Sequence, residues 1–443
     1  MQRMMTAVSA VVLCVAMFGG RSLQTHASVA GQRTVLAVPG RQNATASIAA
    51  SGAFVVVTWG ASTAAGVTDV FAAVSRDAGR TFTPPVRVSS GALDVRLSGE
   101  QPPRVVLVAH VGARRDPSIV VVWTAKASAG TLLLAARSDN GGRSFGRPTV
   151  VPGSDGPGNR GWESAAADPT GHVIVAWLDH RELVQSRSGT RSPSHAADHE
   201  TPTPAMSTDG KAVAQLSQLY VARLDGTIRP MAVTGGVCYC CKTALAIGTD
   251  GAIYVAWRHV YAGDNRDIAF TLSRDGGRTF TPPQRVSEDH WVLNGCPENG
   301  PTLAINSNHV VHVVWPTVVQ SSTSAGEPTL ALFHATTRDG RYFSPRQRIP
   351  TEGMPSHPWI VRGVGGALLV AWDEEVHGTR RVAMAQAMPD AQGTLRFTRL
   401  IMMGSALGEY PVVAEANGGY VMAWTAGLAT QSVIDVERVV TRQ

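Results

Sequence analysis

Four cysteines stand where their types and spacing could do chemistry. Cys238, Cys240 and Cys241 fall within four residues of "GGVCYCCKTALA", Gly235 to Ala246, and Cys296 follows in "NGCPENGP". Thiols so placed can form disulfides, hold a soft metal or serve as a redox centre. The spacing matches no standard zinc pattern, and thiolates favour Cu(I), with His259 or His290 as a further donor. Only Cys296 is far enough along the chain for an ordinary bridge to the cluster. A disulfide from Cys296 to Cys240 or Cys241 is therefore the leading expectation, beside a vicinal Cys240–Cys241 pair or free thiols. No cofactor is expected unless copper or zinc occupies the cluster.

A second set of polar residues recurs at fixed points. After tryptophans stand "LDHR" (Asp179, His180, Arg181), "RHVYAGDNRD" (Arg258, His259, Asp264, Arg266) and "DEEVH" (Asp373, Glu374, Glu375, His377). At the starts of other apolar segments stand Arg41, Arg104, Arg160, Glu163, His357 and the pair Glu409–Tyr410. Guanidinium groups can clamp a carboxylate bidentately, and a tyrosine beside a carboxylate base can act as a nucleophile. The plainer reading of each such residue alone is an exposed polar loop position.

What must position these groups is a repeat. A strand of alternating apolar residues ending in Trp occurs seven times: "VVVTW" (Trp59), "VVVW" (Trp123), "VIVAW" (Trp177), "IYVAW" (Trp257), "VHVVW" (Trp315), "LLVAW" (Trp372) and "YVMAW" (Trp424). A short apolar segment and a turn precede each, and further strands follow, giving units of four antiparallel strands. Four-stranded units repeated around an axis make a β-propeller, which removes free sheet edges by circular closure. The expectation is all-β, with seven blades. The last unit lacks a fourth strand, and "RTVLAV", Arg33 to Val38, is expected to close the ring.

Several third strands end in one turn: "SRDAGRTF", "SDNGGRSF", "SRDGGRTF" and the shortened "TRDGRYF". Its Asp accepts backbone hydrogen bonds and its Gly supplies positive φ. This turn resembles the Asp box, or BNR repeat, of the sialidase superfamily. Asp77, Asp139 and Asp275 are read as its structural carboxylates, on the face away from the channel mouth. Sialidases have six blades, so six is the alternative count that the resemblance carries.

The resemblance implies a substrate carboxylate held by arginines, a Tyr/Glu nucleophile pair and an Asp acid/base. Tyr410 opens a blade as the sialidase tyrosine does. Tyr410, Glu409 and Asp373 are the candidate catalytic residues, and Arg181, Arg258, Arg266 and Arg41 the candidate ligand-binding ones. No Arg-Ile-Pro motif precedes the first Asp box. The pairing of "CYCC" with "GCPENGP" also resembles a recurrent feature of exported bacterial BNR-repeat proteins. The function so implied is binding of a glycan or small anionic ligand at the channel mouth, with sialidase-type exo-glycoside hydrolysis as its enzymatic form. The alternatives are a non-catalytic binding or scaffold propeller stapled by cysteines, and a copper site.

The remaining features narrow the class. Residues 1–30 have the basic start, apolar run and small-residue end of a signal peptide, which predicts a secreted or periplasmic protein and removal of Cys14. Residues 31–443 form the propeller, and the polar stretch 182–215 reads as a flexible loop insert. No later apolar run reaches the roughly 20 residues of a membrane span. Net charge is +6, yet the basic residues are scattered and only three are lysines, which argues against a nucleic-acid partner. A monomer is expected.

Overall fold

The computed structural model describes residues 28–29, 33–91, 93–110, 116–184, 210–293, 295–319, 328–390, 394–402 and 406–439. The chain forms seven antiparallel four-stranded sheets, the sixth extended by Ser28–Val29, which pairs in parallel with Ile401 and Met402. Residues 1–27 and 30–32, which take in most of the stretch 1–30 expected to be a signal peptide, lie outside the described residues. The innermost strands of blades 1 to 7 are Gln42–Ser51, Arg104–Val108, Arg160–Ala167, Ala244–Ile247, Thr302–Ile305, Met354–Arg362 and Glu409–Ala416. Each touches the next, and the seventh touches the first, so the ring is closed. Closure uses the N-terminal strand as expected: Arg33–Leu36 pairs antiparallel with Val433–Val439 and completes blade 7.

The tryptophans explain why the repeat holds. All seven that end the second strands are at most 1% exposed, and the core consists of separate clusters, most of them sandwiched between adjacent blades. One joins Trp59 and Val57 of blade 1 to Val412 and Val421 of blade 7. Such burial contributes roughly 1.5–3 kcal/mol per large apolar side chain. A buried indole also needs an acceptor. The residue two places after the Trp supplies it in three blades: Asp179 at 3.0 Å, His259 at 3.3 Å and Glu374 at 3.1 Å.

At the ends of the third strands, away from the mouth, Asp275 Oδ1 accepts the backbone N–H groups of Arg278 and Thr279, both at 3.0 Å, and the Ser273 hydroxyl at 2.7 Å. Asp77 makes the same set. In the second blade this place belongs to Asn140, which accepts from Ser144 N at 3.1 Å, whereas Asp139 pairs with Ser118 and Arg137. The assignment of Asp139 is thus corrected: the turn measures its acceptor two residues on from Ser138, as Asp275 is from Ser273. In the third blade, the end of the polar insert forms a short helix, α1, Gly210–Gln215; residues 185–209 lie outside the described ones.

Candidate functional site

The mouth of the channel is shaped by backbone irregularities at the entries of the innermost strands. In blades 1, 3, 6 and 7 the ladder shifts register between Ala44 and Ser47, Gly161 and Ser164, Ser356 and Trp359, and Glu409 and Val412. Within each bulge one residue is left-handed: Thr45 (φ 60°), Trp162 (54°), His357 (51°) and Tyr410 (53°). Bulges re-aim side chains, and a positive φ at bulky residues is held only where surrounding contacts over-determine it.

Those contacts are visible at blades 6 and 7. The His357 and Tyr410 rings lie 4.0 Å apart between centroids. Asp373, fully buried within the neighbouring strand Leu368–Val376, binds both: its Oδ2 contacts His357 Nδ1 at 2.7 Å and accepts the Tyr410 backbone N–H at 2.8 Å. Arg380 pairs with its other oxygen. Asp373 is therefore committed to positioning the two rings. Burial, joined by the carboxylates of Glu409, Glu100, Asp373 and Glu298, pushes the Tyr410 phenol well above its ordinary range. Glu409 is also raised, by burial and then by Asp373.

The link from blade 1 to blade 2 reaches across the ring to this pair. Glu100, 3% exposed, accepts Lys242 N at 2.9 Å, Lys242 Nζ at 3.0 Å and Gly300 N at 2.7 Å, so one carboxylate joins blades 4 and 5 to the link. Burial works against its charge, but Lys242, His357 and the Lys242 backbone N–H hold it lower than usual. A Cβ on neighbouring Gly99 would lie 1.8 Å from Tyr410 Cζ, so the link is pressed onto that ring. Farther along the same strands lies a cavity of about 210 Å³, lined in part by Arg104, Lys242 and Trp359. Beside it Glu163 is buried with one carboxyl oxygen unpartnered, and burial pushes it up to about 7.

The arginines expected to bind a ligand are dispersed. Arg41 pairs with Asp69 at 2.7 Å, and Arg181 holds Asp179 at 2.6 Å. Arg258 donates to the carbonyls of Arg266, Asn299 and Pro316 at 2.6, 2.8 and 2.8 Å. Arg266 donates to Leu293 O at 2.9 Å and to Cys238 Sγ at 3.5 Å. None of the four reaches the Tyr410–His357 pair through these bonds. Carboxylates near blade ends have matching structural duties, as with Asp69 and Arg87, Asp267 and Arg285, and Glu374 and Arg399.

The cysteines do meet at blades 4 and 5. Cys240 and Cys296 form a disulfide with Cα atoms 6.1 Å apart, while Cys238 and Cys241 are buried free thiols. Cys238 Sγ lies 4.0 Å from Cys240 Sγ and 3.7 Å from Cys241 Sγ. The Cys241 thiol, acting with Arg266 and Arg258 against burial, brings Cys238 down to about 7, whereas burial pushes Cys241 up. Trp162 packs on the group, and Asn299 ties it to the ring pair by donating its backbone N–H to Cys241 Sγ and accepting His357 N–H at 2.9 Å. With Cys240 in its disulfide, the three clustered sulfurs do not offer three thiolates to a metal, although they lie within 4.8 Å of one another.

Sequence reasoning missed Glu100 and Asn299 altogether and gave no role to Lys242. Glu100 lies in the link four residues before Arg104, the first residue of the blade 2 inner strand, which was noted; that nearness was the available signal.

No family model and no curated protein matches the chain. Solved structures do. An α-L-arabinofuranosidase from Fusarium graminearum, in complex with an iminosugar inhibitor, aligns with a TM-score of 0.52 at 11% identity over 93% of this chain and 97% of its own. The same organism's family-93 enzyme with arabinobiose aligns with a TM-score of 0.50 at 10% identity over the same shares. A Hadza microbial sialidase aligns with a TM-score of 0.43 at 14% identity, over 84% of this chain and 73% of its own. Identities this low speak to the fold alone, which is that of a β-propeller, with seven four-stranded blades in this chain.

Proposed function

We propose that the protein is an exported glycan-binding propeller that engages its ligand at the channel mouth, through the Tyr410–His357 ring pair and the carboxylates around it. The observation that carries the reading is that pair itself: two left-handed bulges from adjacent blades bring an imidazole and a phenol to 4.0 Å, held by one buried carboxylate. Rings offer apolar faces to sugar C–H groups, and the half-buried Glu409 with the exposed Glu298 offers acceptors to hydroxyls. With Arg41, Arg181, Arg258 and Arg266 all engaged elsewhere, a neutral glycan suits this mouth better than a sialoside. The Fusarium neighbour described with arabinobiose carries a neutral sugar of that kind. The Cys240–Cys296 disulfide fits an oxidising compartment, in the periplasm or outside the cell.

Glycoside hydrolysis is a second reading, favoured by Glu409 next to Tyr410 in sequence, a carboxylate base of raised proton affinity and a phenol nucleophile. The raised phenol requires that Glu409 take its proton as the bond forms. Calorimetric titration with arabino-oligosaccharides and sialosides, together with fluorogenic arabinofuranoside and sialoside assays, tests both. Binding of a neutral oligosaccharide that weakens about tenfold or more in Tyr410→Ala, as expected for losing a stacked ring, supports the site. Tyr410→Phe keeps the ring and abolishes any turnover that uses the phenol. Absence of binding across the panel overturns the reading.

A further inference from the structure

The cluster at blades 4 and 5 holds two redox levels side by side. Cys238 and Cys241, a Cys-x-x-Cys pair, are thiols 3.7 Å apart, and the disulfide of Cys240 lies 4.0 Å from Cys238. Cys238, Cys240 and Cys241 are at most 4% exposed, whereas Cys296, the far end of the disulfide, is exposed. The buried end is also electrically unusual. Arg258 and Arg266 are both at most 1% exposed, and among the described residues neither has a carboxylate within 4.0 Å. Their bonds go to backbone carbonyls and to Cys238 Sγ, and Arg266 Nη2 has no acceptor among the described residues. Buried cations without a counter-charge are costly, and the sulfur of Cys238 is the group placed to supply one as thiolate.

We propose that the four cysteines are a thiol–disulfide relay, in which the buried Cys238–Cys241 dithiol reduces the Cys240–Cys296 disulfide and so presents a thiol at the surface. In the first step the Cys238 thiolate attacks Cys240 Sγ. A Cys238–Cys240 bond forms, the Cys240–Cys296 bond breaks, and its electron pair leaves on Cys296, which takes up the proton Cys238 released. In the second step the Cys241 thiolate attacks Cys238 Sγ, the Cys238–Cys240 bond breaks, and Cys240 receives the electron pair and the proton of Cys241. Two electrons have moved from the dithiol to the disulfide, with no outside reagent. The surface thiol of Cys296 is then open to exchange with a disulfide-bearing small molecule. Because Asn299 touches both Cys241 and His357, the relay abuts the mouth without sharing its ring pair.

The test uses the whole native protein, purified without reductant. It is exposed to a charged maleimide, quenched in acid, then unfolded and mapped without reduction. The relay predicts that Cys296 becomes labelled over minutes to hours while a Cys238–Cys241 disulfide accumulates, because alkylation traps the thiol end. In Cys238→Ser the labelling rate of Cys296 should fall at least 100-fold; in Cys241→Ser it should persist with a Cys238–Cys240 bond. Native wild-type protein whose Cys296 stays unlabelled and bonded to Cys240 overturns the relay without recourse to any variant. So does equal labelling in Cys238→Ser, or four free thiols holding stoichiometric copper or zinc. Glutathione disulfide serves as the small-molecule probe: mixed-disulfide formation at Cys296 is expected, and none in protein whose Cys296 is otherwise labelled overturns the outward step.

Discussion

At the scale of single residues, Glu163 makes the most direct statement about pH. Burial holds its carboxyl up to about 7, with its own backbone N–H, Arg104 and Thr124 pulling the other way. The folded state therefore keeps a proton that the unfolded chain releases above about 4.5. Stability from this group is full below that pH and declines as pH rises toward 7, by on the order of 3 kcal/mol. Glu163→Gln should flatten that decline, read as urea midpoints between pH 5 and 8; an unchanged slope would assign it to other groups. Asp275 makes the opposite kind of statement. Removing its four acceptor bonds in Asp275→Ala should cost about 1–3 kcal/mol of unfolding free energy, while glycan affinity of the folded fraction stays put. The sequence announced Asp275 because its bonds are local, within four residues. It announced the arginines only as charges: that Arg266 faces a sulfur 28 positions away and Glu100 a lysine 142 positions away is set by ring geometry, which spacing does not encode.

Among elements, the strands were legible and the bulges were not. Alternation and a terminal Trp mark each second strand, because a buried sheet face needs every other residue apolar and the indole fills the seam between blades. A bulge adds one residue without breaking the apolar pattern, so "GWES", "SHPW" and "EYPV" read as ordinary entries. Yet those insertions are what bring Tyr410 and His357 together. The link carrying Gly99 and Glu100 belongs to the same scale. In Gly99→Ala the added methyl must displace the Tyr410 ring or the link itself, at a cost of about 1–3 kcal/mol. Glycan affinity and stability should both fall, seen in the same calorimetric and denaturant experiments. A variant with wild-type affinity would show that the ring's place under the link is not part of recognition.

For the molecule as a whole, seven repeats in one chain predicted the propeller, and the unpaired last unit predicted which end would complete it. Removing residues up to Leu36 leaves blade 7 with three strands and takes away the buried side chain of Leu36, 5% exposed in the intact ring. The loss should be roughly 2–4 kcal/mol from that side chain and its ladder hydrogen bonds, measured as a lowered urea midpoint for the truncated chain. An unchanged midpoint would mean that the seam is held by the sheets' faces alone. The same seam fixes when the protein can finish folding. Arg33–Leu36 is among the first parts of the propeller to be synthesised, but its partner Val433–Val439 is nearly the last. Until the ribosome has made it, every earlier blade belongs to an open arc with two bare ends. A chain threaded out of the cell unfolded and N-terminal end first meets the same interval on the far side, since Arg33–Leu36 must wait there for Val433–Val439 before the circle can shut.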